Sequence, residues 1–445
     1  MKILFISLGC DKNLADSEEM LGLLTGSGHE IVDSEEEAEA IVINTCCFIH
    51  DAKEESVNTI LEMAEYKKTG KCKALVVTGC MAQRYKEEIT QEIPEVDAVL
   101  GTTSYGDIVK ALNEAQAGHV FQEFRDINEL PEDSGRRVLT TGGHFGYLKI
   151  AEGCDKHCTY CIIPSLRGSF RSVPEERLLA QAEYMASQGV KELILVAQET
   201  TVYGTDLYGR KTLHILLKKL CQIRGIRWIR VLYCYPEEIY DELIQVMKEE
   251  KKICNYLDLP IQHASDRILK RMGRRTTRKQ LTDIITKLRR EIPDIVLRTS
   301  LITGFPGETQ EDHEELMEFV DEMEFDRLGV FTYSPEEGTP AESMEGQVPE
   351  EVKEERRDEI MSLQQEISLE KGNERIGQEL LVMIEGKVSG ESAYIGRTYA
   401  DAPKVDGYLF VQTGELLVTG DFARVRVTGA LEYDLIGELA DEYTE

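Results

Sequence analysis

The run Cys154-Asp-Lys-His-Cys158-Thr-Tyr-Cys161 constrains this chain more than any other feature. Three thiols within one short loop must serve together. The opening MKILFISLGCDKN shows no small-residue cleavage site, so a cytoplasmic protein is expected, in which clustered cysteines are read as metal ligands before disulfides. A C-x3-C-x2-C loop can supply three thiolates to three irons of a cubane cluster, leaving the fourth iron open. The other reading is a zinc knuckle completed by His157, although a histidine between two cysteines would point its ring away from the metal.

The surrounding text shows what carries this loop. Over residues 1–125, apolar runs (KILFISLG, AIVINT, ALVVTG) alternate with helix-like stretches, which argues a doubly wound parallel sheet. Residues 126–143 turn polar and irregular and read as a linker. From 144 to 348 the alternation resumes through six strand-helix repeats, too few for a closed eight-fold barrel but suited to an open partial (β/α)6 barrel with its site at the C-terminal strand ends. Residues 349–372 have helical spacing and dense mixed charge, predicting a solvated connector helix. From 373 to 445 short period-two runs separated by turn residues predict a small antiparallel β-barrel. The expected class is therefore α/β multidomain, and no apolar run approaches the roughly 18 residues needed to cross a bilayer.

A second constellation is spread along the first 80 residues. Cys10, Cys46 and Cys80 each follow a predicted strand, and in a parallel sheet those ends share one edge, where ligands gather at the switch in strand order. The three are expected to converge as a second metal site, with buried packing cysteines as the alternative. Cys47 should face away from its neighbour. Cys72, Cys221, Cys234 and Cys254 have no partner spacing and read as packing residues.

With these motifs in view, the chain resembles the radical S-adenosylmethionine (SAM) methylthiotransferases over essentially its whole length. The resemblance rests on SLGCDKNLADSE, YLKIAEGCDKHCTYCIIPSLRG, DLPIQHASDRILKRMGR and TSLITGFPGET, besides the six cysteines. It implies two [4Fe-4S] clusters and SAM as cofactors, with Cys154, Cys158 and Cys161 holding the radical-generating cluster and Cys10, Cys46 and Cys80 the sulfur-delivering one. It further implies that Tyr160 lies along the adenine, that Gln198 and Glu199 approach the methionine amino group, and that Arg298 and Gly304, with Glu308 nearby, line the other side. The C-terminal barrel would be a TRAM domain, a small OB-like module. Arg167 could pair with a substrate carboxylate, with the cofactor's, or in a surface salt bridge. His263 reads as structural, and no catalytic residue is assigned beyond the cluster ligands.

Family members divide between an adenosine of transfer RNA and an aspartate of small-subunit ribosomal protein twelve. Asp11-Lys12 after the first cysteine resembles the ribosomal-protein class. Charge points the same way: the chain carries 51 basic against 82 acidic residues, and residues 373–445 carry 6 against 14. A barrel that grips RNA should be basic, whereas an acidic one steers in a basic protein. The expectation is thus SCH3 addition to the β-carbon of an aspartate in a basic ribosomal protein, by a monomer that draws electrons from a reductase or flavodoxin-like donor. Direct nucleic-acid binding and membrane association are not expected. The rival readings are a transfer-RNA methylthiotransferase and a non-enzymatic iron-sulfur protein.

Overall fold

The computed structural model describes residues 1–132, 135 and 137–440. Three residues of the expected 126–143 linker and the last five of the expected 373–445 module lie outside the described residues.

The first sheet contains β1 (Lys2–Ser7), β2 (Glu30–Val32), β3 (Ala40–Thr45), β4 (Ala74–Gly79), β5 (Ala98–Leu100) and β6 (Phe121–Glu123), in the order β2-β1-β3-β4-β5-β6. Every pairing is parallel. Alternation along the buried strands feeds two cores. Ile41, Ile43, Leu75 and Val77 pack with Ile60 and Met63 of α2 (His50–Thr69), while Ile3, Val42 and Val76 pack with Met20 and Leu24 of α1 (Asp11–Gly26). Helices on both faces make the sheet doubly wound. The chain leaves β1 outward to β2 and returns on the other side to β3, so the strand order reverses at the β1/β3 boundary.

The central sheet contains β7 (Phe145–Lys149), β10 (Glu192–Val196), β11 (Trp228–Val231), β12 (Ile253–Asp258), β13 (Val296–Thr303) and β14 (Arg327–Thr332). All six are parallel, in the order β14-β13-β12-β11-β10-β7. A short antiparallel ribbon, β8 (Ala151–Glu152) with β9 (Arg171–Ser172), flanks the cysteine loop. One face of the sheet packs on its crossover helices through Leu193, Leu195, Ile229, Leu257 and Leu297. Its other face, through Tyr147, Ile194, Trp228 and Tyr256, meets Met383, Ala402 and Phe422 of the C-terminal module.

That module is a closed barrel of β15 (Glu379–Lys387), β16 (Ala393–Arg397), β17 (Leu409–Gln412), β18 (Phe422–Ala430) and β19 (Leu435–Leu439). The pairings are antiparallel except β17 with β19, which run parallel. Barrel and central sheet are joined by buried ions. Arg230 Nε donates to Glu192 at 2.8 Å, and Arg397 Nη2 donates to the other oxygen of the same carboxylate at 2.7 Å.

The connector helix corrects the expectation of a solvated rod. Over Glu350–Glu374 it buries Ile360 and Ile367 in the main core, and Arg356 reaches Glu308 at 2.8 Å. Dense charge hid this face because the long stems of Lys353 and Arg356 are themselves buried, with their charged ends paired.

Candidate active site

At the first sheet's C-terminal edge, Cys10 caps the start of α1, Cys46 follows β3, and Cys80 opens α3 (Cys80–Tyr85) directly after β4. Two neighbours knit these ends together. The Asn13 side-chain amide donates to Leu8 O at 3.1 Å and Thr45 O at 2.9 Å, bridging the β1 and β3 loops. The Ser56 hydroxyl accepts from Cys46 N at 3.1 Å and donates to Cys46 O at 2.7 Å, fixing the backbone of that cysteine. Gly9 makes the approach possible, since at φ +84° a Cβ would stand 2.6 Å from Cys46 Cβ and 2.9 Å from its sulfur. Burial, reinforced by Cys80 and then Cys10, pushes the Cys46 thiol up to about 12. Burial also raises Cys80, with Arg167 opposing. Cys46 thus sits in the field of both Cys80 and Cys10, and Cys80 in that of Cys10.

The second cysteine loop follows β8. Gly153, at φ +74°, leaves no room for a Cβ against the carbonyls of Gly168 and Ser169, so the loop enters tightly. Cys154 N donates to Gly168 O, and Cys161 N to Cys158 O, closing the turn. Burial lifts Cys154 to about 11 and Cys161 to about 12, with the neighbouring thiols adding to both. His157 is exposed and held at φ +52°, which turns the chain without completing a knuckle. Among the described residues no three His, Cys, Asp or Glu side chains close on a single metal ion. A cubane makes a different demand, because each thiolate binds a different iron.

Beside this loop, the end of β10 presents unsatisfied acceptors. Glu199 is 1% exposed, and its Oε1 accepts from Thr201 N at 2.9 Å while Oε2 has no partner. Gln198 Oε1 is likewise buried and unpartnered. Burial raises the Glu199 carboxyl to about 7, and Glu199 in turn contributes to the field at Cys154. Buried acceptors without donors are rare in native proteins and mark a place for a donor to bind. Tyr160 packs edge-on to Phe305 at 6.4 Å between ring centres, in a small apolar cluster with Ile268, Met272 and Tyr333.

Two expected cofactor neighbours are occupied otherwise. Arg298 donates to Asp258 at 2.8 Å and stands 3.4 Å from Asp406, so its guanidinium ties the central sheet to the C-terminal barrel. At Gly304 a Cβ would run into Lys353, so the glycine admits the connector helix. Glu308 serves the same seam through Arg356. His263 is fully buried, accepting at Nδ1 from the amides of Ala264 and Ser265, with Nε2 3.5 Å from Glu308. Cys47 is buried in the apolar core on α2's side of the sheet; Cys72, Cys221, Cys234 and Cys254 are also core residues.

Sequence reasoning missed Arg274. It is 6% exposed, lies 4.2 Å over the Tyr235 ring, and leaves Nε and Nη1 unpartnered. The fields of Tyr160, Tyr235 and Cys158 all act on it. The only sequence signal was a basic pair after RMG, indistinguishable from a surface patch. Arg167, left open in sequence, is 3% exposed and fully engaged. It donates to Asp16 at 2.8 Å, Glu152 at 3.4 Å, Asn13 Oδ1 at 2.6 Å and the Cys80 sulfur at 3.6 Å.

Three family profiles match the chain: an uncharacterized protein family, UPF0004, over residues 2–101, the radical SAM superfamily over 148–320, and the TRAM domain over 376–440. Among curated relatives, a ribosomal protein uS12 methylthiotransferase RimO of Lachnoclostridium phytofermentans is 64% identical over 437 residues, covering 98% of this chain and 99% of the relative. The chain belongs to the RimO family. Further RimO relatives come from Pelotomaculum thermopropionicum, 51% identical over 98% of this chain and 99% of the relative, and from Clostridium botulinum, 50% identical over 100% and 99%. Among solved structures, the radical SAM methyltransferase TsrM of Kitasatospora setae superposes with a TM-score of 0.55 at 13% identity, covering 77% of each chain. The cobalamin-dependent radical enzyme OxsB gives 0.52 at 15%, over 82% of this chain and 56% of that one. At such identities these two share the fold alone. The opening Asp11-Lys12 and the acidic barrel are thus features of a RimO family member.

Proposed function

We propose that the protein is a radical SAM methylthiotransferase that replaces a C–H bond on the β-carbon of an aspartate in ribosomal protein uS12 by C–SCH3. What supports this reading is the full-length relationship to RimO, beside two sets of three cysteines, one at the first sheet's C-terminal edge and one on the loop after β8. When bound, the cofactors supply a 5'-deoxyadenosyl radical from SAM at one cluster, sulfur from the other, and a methyl group from a second SAM. Cys154, Cys158 and Cys161 would ligate the first cluster, and Cys10, Cys46 and Cys80 the second. Two sites are needed because an open iron engaged by SAM is not free to carry sulfur.

The remaining residues bind and orient. Gln198 Oε1 and Glu199 Oε2 would accept from the cofactor's amino group. Arg274, with two free donors beside Cys158, would take its carboxylate, and Tyr160 would flank the adenine. Arg298 and Gly304 support this wall from behind, by holding the barrel and the connector helix. Near Cys10, the Lys12 ammonium sits 3.2 Å from Asp11 and 3.3 Å above the Tyr233 ring, a buried cation suited to a substrate carboxylate. Net charge of −31 favours encounter with a basic ribosomal protein. A low-potential donor of the reductase or flavodoxin class would deliver electrons, and nothing in the chemistry requires more than a monomer.

The assignment of the two sites is tested by separating them. Cys154→Ala should lower iron from about eight to about four per chain and abolish 5'-deoxyadenosine formation. Cys80→Ala should also reduce iron but leave SAM cleavage in place. Equal loss of cleavage in both variants would contradict the division of labour.

A further inference from the structure

Arg167 comes from the radical half of the molecule yet spends one end of its side chain on the other half. It closes the short helix Ile163–Arg167, six residues after Cys161. Its Nη1 faces the carboxylates of Asp16 and Glu152, which Lys149 also engages. Its Nη2 turns to Asn13 Oδ1 and to the sulfur of Cys80. Asn13 in turn fastens the β1 and β3 loops that carry Cys10 and Cys46. One guanidinium therefore touches a thiol of the second site directly and braces the other two through a single amide.

We propose that Arg167 is a positioning residue for the second site, donating to the Cys80 sulfur and raising the reduction potential of the cluster held there. The proposal rests on Cys10, Cys46 and Cys80 being cluster ligands. A donor and a fixed positive charge beside a ligating thiolate favour the more negative, reduced cluster, and hydrogen bonds to sulfur are among the main controls on such potentials. Low exposure keeps water from screening the contact. The radical half of the chain thereby sets the electronics of the sulfur-carrying half, and a folded N-terminal sheet without it would hold a cluster of lower potential.

The test uses the full chain with Cys154, Cys158 and Cys161 all changed to Ala, so that only the second cluster is present. It is reconstituted and titrated against mediators by electron paramagnetic resonance. In this background Arg167→Met should shift the reduced-to-oxidised ratio at fixed potential at least tenfold toward oxidised, equivalent to about 59 mV for one electron. Arg167→Lys, which keeps charge but not the fork, should fall between Met and wild type. An Arg167→Met chain with full iron and a shift below twofold overturns the proposal. Should the Met variant fail to fold, the Lys variant alone decides it: an intermediate shift supports, none contradicts. Folded chains of both variants that hold no iron would give Arg167 a role in assembly and contradict tuning. A background chain without iron contradicts the ligand assignment, and the proposal with it.

Discussion

At the residue scale, the two sets of three cysteines could be picked out from spacing and from their place after apolar runs, because both are local properties of the text. Arg167, Asn13 and Arg274 could not. Arg167 meets Asn13 across 154 positions, and no local pattern announces such a contact. Arg298 and Gly304 were placed beside the cofactor by family resemblance; in the fold Arg298 meets Asp258 of the neighbouring strand and Asp406 of the barrel, and Gly304 lies against Lys353 of the connector helix. Glu199 yields a pH prediction. Burial raises its pKa to about 7, so below that pH the carboxyl is protonated, and the anion that accepts best from the cofactor's amino group forms only as the pH rises. Affinity for SAM, measured by calorimetry on reconstituted protein, should therefore strengthen from pH 6 to 8, by up to about tenfold per pH unit below 7. Glu199→Gln should bind more weakly at pH 8 and lose this dependence. Gly9→Ala should cost about 2 kcal/mol or more in chemical denaturation, from the left-handed backbone and the clash with Cys46.

At the scale of elements, the parallel strands were legible because buried strands such as AIVINT and ALVVTG are continuously apolar and bounded by turn residues. The connector helix was not. Its buried face is built from two isoleucines among charged residues whose ends find partners only after folding. Ile360 is fully buried, so Ile360→Ala should destabilise the protein by about 2–5 kcal/mol, read from the shift of a denaturant midpoint at constant slope. The parallel β17/β19 pair escaped for a related reason: strand direction within a barrel is set by closure and not by hydrophobic alternation.

At the scale of the whole molecule, domain order could be read from changes in periodicity, whereas the way the domains meet could not. The central sheet turns one face to the barrel, and Glu192 lies between Arg230 and Arg397, all three side chains fully buried. Removing one partner from such a cluster leaves uncompensated charge, so Glu192→Gln should cost about 3–5 kcal/mol and expose the barrel junction to limited proteolysis. Arg298 and Asp406 extend this seam, and Asp258, which Arg298 holds, accepts from the backbone of Tyr233, whose ring lies under Lys12 beside Cys10. The net charge of −31 on the molecule as a whole suits encounter with a basic protein.

Substrate and bond formed can be tested together. The most direct measurement mixes anaerobically reconstituted, reduced protein with SAM, a peptide spanning the target aspartate loop of uS12, and transfer RNA, and follows the mass of both acceptors. The expected result is that the peptide gains one SCH3 in place of H, that the RNA is unchanged, and that Cys10→Ala abolishes the gain. An unmodified peptide beside methylthiolated RNA would contradict it.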